Sequence, residues 1–175
     1  MRRLALVSFC LILTACTRPT PTPSPAVLAF GHQLQELHTE FQDGTAQYNR
    51  QYQSMITDKA PKADLIRLHH AEWRRLDTIR VRVLALPVPN ATCATIRDDY
   101  AESVSLAQRA MEQAIVYALL GDRDIGEQAN RSIDASRGLR ESALSELQSL
   151  LPKEPRQTTV APTRRARHLR SNTLV

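Results

Sequence analysis

His69 and Glu72, three residues apart in the stretch LHHAEW, are the side chains of this sequence most suited to holding a metal. On a helix that spacing puts both on one face, and an imidazole with a carboxylate is a donor pair that divalent ions accept. Glu72 would still need ligands from several helices at once. His32 with Glu36, and His38 with Gln42, are i,i+4 neighbours on a separate segment, and their plainer reading is a row of half-exposed histidines along a seam edge. No metal and no cofactor is expected. Cys93 offers thiol chemistry: in the first turn of a helix its pKa could fall, and an oxidising compartment would let it pair with another chain. A small buried filler is the commoner role for such a residue. Asp98 and Asp99 are adjacent, so on a helix they diverge by about 100° and make a poor acid–base pair.

Motifs with a fixed mechanism are missing from the sequence. It has no CxxCH for haem attachment, no GxSxG, no phosphate loop, no HExxH and no dinucleotide fingerprint. The stretch around His69 lacks the glycine of the GxHxxE element used by imelysin-like helices, and no Glu-x-x-His occurs, the spacing that ferritin-like di-iron bundles take from two of their helices. The chain is therefore not expected to be an enzyme.

The beginning of the chain is more informative. MRRLALVSFCLILTAC places two arginines before about ten apolar residues and a short run of small side chains, which is the plan of a secretory signal. At roughly 1.5 Å of rise per residue the apolar run reaches about half of a ~30 Å hydrocarbon core, so it reads as an export signal and not as a permanent span. Its end, Leu13-Thr14-Ala15-Cys16, resembles the lipobox of bacterial lipoproteins, in which a branched apolar residue, a small residue and Ala or Gly precede the cysteine. Cys10 fits the pattern poorly, because Phe9 stands where a small side chain is wanted. The resemblance implies that Cys16 receives a diacylglycerol thioether, that a dedicated peptidase cuts before it, and that it becomes the acylated first residue of the mature protein. Two or three acyl chains hold a protein on a membrane where one would only visit. In lipoproteins of diderm bacteria, Asp after the cysteine keeps the protein at the inner membrane; Thr17 here implies the outer membrane if the host has one, and otherwise the outer face of the cell membrane.

Residues 16–25 add the linker TRPTPTPSP, whose alternate prolines fix φ and remove backbone donors. As a polyproline-like spacer its nine residues reach roughly 28 Å; a tether of no particular length fits equally well. Residues 153–175 are proline-containing and carry the arginine cluster Arg164, Arg165, Arg167 and Arg170. Beside an anionic lipid surface each could add about 1 kcal/mol, and the alternative is a solvated disordered end. The net charge of +5 is misleading, because the body from Ala26 to Pro152 has 14 basic and 17 acidic side chains. A basic surface that grips nucleic acid is not expected there.

Five glycines, three Phe, four Tyr and one Trp in 175 residues suit helices better than sheets. Ser24 and Pro25 open a first helix whose seam is Phe30, Leu34, Leu37, Phe41, Tyr48, Tyr52 and Met55. It runs to about Thr57 with a weak point at Gly44. Pro61 starts a second helix, with Leu65, Leu68, Leu76, Ile79, Val83 and Leu86 in the seam and Trp73 beside it, ended by PVP at 87–89. A third begins at 90–92 and narrows to alanine; LLGDRD turns sharply into a fourth that ends at Pro152. Gly138 is read as a close helix contact, with a surface glycine as the alternative. Glu127 with Arg131, and Arg137 with Glu141, are read as exposed i,i+4 pairs.

These observations imply an all-α, up-down-up-down four-helix bundle over residues 26–152, about 40–45 Å long. Two helical hairpins completed by a second subunit are the alternative. The body also resembles the helical domains of bacterial lipoproteins in pattern alone, which implies no functional residues. The expected protein is a lipid-anchored, non-enzymatic envelope module with an envelope protein or its own copy as partner. A small-ligand or metal-binding bundle using the His69, Glu72 and Trp73 neighbourhood is the competing reading.

Overall fold

The structure, a computed structural model, describes residues 22–152. The leader with Leu13, Thr14, Ala15 and Cys16, and the tail with Arg164, Arg165, Arg167 and Arg170, lie outside the described residues. Four helices make up the rest: α1 (Pro25–Thr57), α2 (Lys62–Leu84), α3 (Ala91–Leu120) and α4 (Arg123–Leu150). No strand occurs among the described residues, and no described helix is long and apolar enough to cross a membrane.

Three helix starts and two helix ends have a plain chemical cause. The Ser24 hydroxyl accepts from the Val27 amide at 3.3 Å with Pro25 in the first turn, Asn90 accepts from the Cys93 amide at 2.8 Å, and Asp122 accepts from the Asp124 amide at 2.9 Å. These side chains satisfy amides that a helix start leaves without partners. α3 ends on Gly121 at φ 72°, the left-handed conformation that favours glycine. α1 ends in the same kind of turn built on Lys59 at φ 53°, where the Ala60 amide reaches the Met55 carbonyl at 2.8 Å and the Lys59 amide reaches that of Ile56 at 3.2 Å.

The helices run up-down-up-down, as three sets of cross-helix contacts establish. Arg82 pairs with Glu40 at 2.5 Å, and the Arg75 guanidinium lies against Gly44. Trp73 donates to Glu112 at 3.0 Å, and one turn further along α2 Asp77 accepts from Gln108 at 3.4 Å. The Ser136 hydroxyl donates to the Ser103 carbonyl at 2.6 Å, while Tyr117 packs on Gly126. One core takes residues from every helix, among them Phe30 and Leu34, Leu76 and Ile79, Tyr100 and Val104, and Leu147. Burying each such side chain contributes roughly 1.5–3 kcal/mol, and the bundle thus encloses its own core.

α1 runs unbroken from Pro25 to Thr57, as expected, and stays continuous through Gly44, its weak point in sequence. A Cβ at that position would stand 2.3 Å from Cζ of Arg75, so the missing side chain makes room for a guanidinium. Gly138, by contrast, has nothing within 4 Å of its Cβ position and is a surface glycine, not a close contact. The exposed ion pairs also differ from the expected ones: Glu127 pairs with Arg123 at 3.1 Å, and Arg137 with Asp134 at 3.6 Å.

Packing is uneven along the bundle. α3 lies closest to α4, with Ser103 and Ala110 facing the small side chains Ala129, Ser136 and Ala143. α1 and α4 approach near Gly31, whose Cβ position is 2.9 Å from Leu151. The buried residues of α1 all precede Gly44. Toward the other end the helices leave Ile56, Val116, Tyr117, Leu119 and Leu120 exposed, Leu120 to 70 %.

Candidate functional site

Between α1 and α4, in the half of the bundle far from Pro25, the loose packing opens a lateral cleft. An outer section of about 440 Å³ is bounded by Tyr48 and Tyr52 of α1, His69 of α2, Met111 and Tyr117 of α3, and Asn130 and Ile133 of α4. It adjoins an inner section of about 240 Å³ that reaches Phe41, Thr45, Ser136 and Arg140. Tyr48, Asn49, Met111 and Ile133 line both sections.

The wall on the α1–α2 side is aromatic. Tyr48 and Tyr52, four apart and so on one face, have nearly parallel rings 6.0 Å apart, and the His69 ring lies 5.7 Å from that of Tyr52. The Tyr48 hydroxyl and Nδ1 of His69 are 2.8 Å apart. Burial holds the Tyr48 phenol well above its ordinary pKa, with Tyr52 and Glu72 adding to the effect, while burial and then His70 hold His69 below the usual imidazole value. We assign the phenol as donor to a neutral imidazole, which leaves the proton on Nε2. Nε2 makes no hydrogen bond to a described residue.

One turn further along α2, Glu72 is buried to 7 % exposure and both its oxygens are held by Arg75, at 2.6 and 2.7 Å. Arg75 also donates to the Glu40 carbonyl at 3.2 Å and to Thr45 at 3.3 Å, crossing the bare backbone at Gly44. His69 and Glu72 therefore both point inward, but each already has a protein partner. No group of three or more metal-ligating side chains gathers among the described residues. Trp73 separates from them: its indole turns to α3 and Glu112, so the His69, Glu72 and Trp73 neighbourhood is divided between two faces of α2.

Arg140 closes the inner end. Its guanidinium lies 4.4 Å over the Phe41 ring and donates to Ser136 at 3.2 Å. Other arginines of the cleft are neutralised, Arg137 by Asp134 and Arg123 by Glu127. Arg140 has no carboxylate within 4 Å among the described residues, and burial lowers its pKa, opposed in part by Tyr100 and Glu141. Deeper in the core, His38 Nδ1 and the Tyr100 hydroxyl are 3.1 Å apart.

Cys93 is a free, fully buried thiol at the start of α3. Burial raises its pKa, outweighing the hydrogen bond from Asn90 that acts the other way. The lowered pKa and the exposure needed for pairing with another chain are both missing; the residue fills space.

Sequence reasoning found His69 and Glu72 but not the cleft, nor Arg140, Asn49, Asn130 or Ile133 as its walls. One signal was present. The α1 seam changes from Phe and Leu to Tyr48 and Tyr52 where the α3 seam narrows to Ala114 and Ala118.

The fold and site define a four-helix bundle with a lateral, aromatic-walled cleft. No family model, curated protein or solved structure matches the chain.

Proposed function

We propose that the protein is a non-enzymatic, extracytoplasmic module held on a membrane by lipid at Cys16, acting through its helix faces on an envelope protein or on a second copy of itself. The observation that carries this reading is the order of parts: a lipobox-like LTAC, a proline-rich linker, and then a bundle that encloses its own core. α1 starts at one end, and the exposed apolar side chains Ile56, Leu119 and Leu120 gather at the other. A tether attached near Pro25 would turn that apolar end away from the lipid.

Labelling with radioactive palmitate in the producing bacterium tests the anchor. Label should enter the wild-type chain and be lost in Cys16→Ser, together with release from membranes; an unchanged membrane fraction refutes the lipid reading. A photo-crosslinker at Leu120 should give a discrete adduct, and one at exposed His32, near the opposite end, should not. Equal behaviour at both positions contradicts the proposed face.

A second reading, a small-ligand-binding bundle, is favoured by the cleft itself. Pockets of this size, apolar with a few converging polar groups, are typical of small-molecule sites.

A further inference from the structure

The cleft between α1 and α4 places its unpaired and its paired charges at different points along its length. At the inner end stands Arg140, the one arginine of its lining with no carboxylate partner among the described residues. A guanidinium has five N–H donors in a planar fork, and only the bond to Ser136 is made to a described residue. Its Cζ lies over the Phe41 ring, 4.4 Å from the centroid, and the remaining N–H donors are available to an anion. The hydroxyl of Ser136 and the side chains of Thr45 and Asn49 line the same section. Glu72 lies there too, but both its oxygens are already bonded to Arg75.

Beyond Asn49 the lining mixes apolar and aromatic side chains with Gln53, His69, Asn130 and the paired Arg123 and Glu127. Met111, Ala114 and Ile133 form its middle, and Tyr52 and Tyr117 stand at the far end. Ile133 is 38 % exposed although it lies on the inward seam of α4, because the cleft and not a neighbour covers it. From Arg140 to Gly126 is fourteen residues of helix, or about 20 Å. A path of that length, with a cation at its inner end and the small side chains Ala114, Gly126 and Ala129 along it, matches an extended hydrocarbon chain ending in an acid better than a compact ring.

We infer that this cleft is a binding site for a long-chain carboxylate, its head paired with the Arg140 guanidinium and its alkyl chain lying along Met111 and Ile133 toward Tyr52 and Tyr117. The pairing supplies selectivity: a bidentate guanidinium–carboxylate contact in a half-buried site is stronger than the same group can make with an alcohol. This inference stands apart from the lipid on Cys16, since the cleft is built from residues 41–140 alone.

The test is calorimetric titration of the chain from Thr17 onward, which keeps the whole self-contained bundle, with dodecanoate and with dodecanol. Dodecanoate should saturate at one per chain and bind at least tenfold more tightly than dodecanol. Arg140→Gln should bring the acid down to the affinity of the alcohol, and Arg140→Lys should keep part of the preference. Ile133→Trp, which fills the cleft, should weaken both ligands. Equal affinity for acid and alcohol, an acid preference that survives in Arg140→Gln, or no binding of either ligand overturns the assignment. The acid-to-alcohol ratio in the wild-type chain decides the matter even if Arg140→Gln does not fold.

Discussion

Replacing Gly44 by alanine sets two effects of opposite sign against each other. In an exposed helix interior Gly→Ala stabilises by about 1 kcal/mol, because alanine has less backbone freedom to lose. Gly44, however, lies under Arg75. The new methyl would stand 2.3 Å from Cζ and 2.6 Å from Nε, so the guanidinium must leave its place. That guanidinium makes both hydrogen bonds to Glu72, whose side chain is 7 % exposed, while Arg75 keeps 25 %. Removing one member of a fully buried pair costs about 3–5 kcal/mol; the partial exposure of Arg75 lowers that to about 2–3 kcal/mol, since the released guanidinium regains water. The net expectation for Gly44→Ala is a loss of about 1–2 kcal/mol. Urea unfolding followed by the fluorescence of Trp73, the single tryptophan, reads it directly. With an m-value near 1–2 kcal/mol/M the midpoint should fall by about 1 M. In a Glu72→Gln background, with no buried carboxylate left to strand, Gly44→Ala should cost less or stabilise. A wild-type background in which Gly44→Ala stabilises by about 1 kcal/mol would refute the reasoning, because the guanidinium would then have no need of the bare backbone.

Other substitutions and conditions test the remaining assignments. Gly138→Ala, at a site with open space around it, should raise stability by about 1 kcal/mol in the same unfolding assay. Gly121→Ala should lower it by about 1 kcal/mol, because φ 72° is costly for any residue with a Cβ. Burial lowers the pKa of His69 and His38 from the ordinary 6.5, so the unfolded chain takes up protons first as the pH falls. The stability contributed by the neutral rings is present in full above about pH 6.5 and is lost on acidification through the depressed folded values. The thermal midpoint should fall over that range, and His69→Gln should flatten the slope. Cys93 should react with a thiol reagent at the rate of global unfolding, and a fast phase in the native protein would contradict its burial.

The helices were legible because their causes are local. Ser24 with Pro25, Asn90, and Gly121 with Asp122 are start and stop signals contained in a few residues, and the apolar periodicity between them selects the face each helix buries. The narrowing of the third seam to alanine left room for a close neighbour without saying which helix it would be. Pairings between distant residues carried no such signal. That Gly44 is a seat for Arg75, that Arg140 stands without a carboxylate while Arg137 finds Asp134, and that Glu127 turns back to Arg123 all depend on rotamers and helix register. Periodicity does not encode either of these. The cleft is the clearest case. Its walls come from opposite ends of the described chain, and it exists because α1 and α4 diverge where small side chains draw α4 onto α3. The sequence by itself therefore determined four helices and their order, since each is written in neighbouring residues, and it carries the lipobox-like LTAC on which the proposed anchor rests. Only the tertiary structure decided where the bundle is open and which charge stands at the end of that opening, since both follow from how four seams of unequal width share one core.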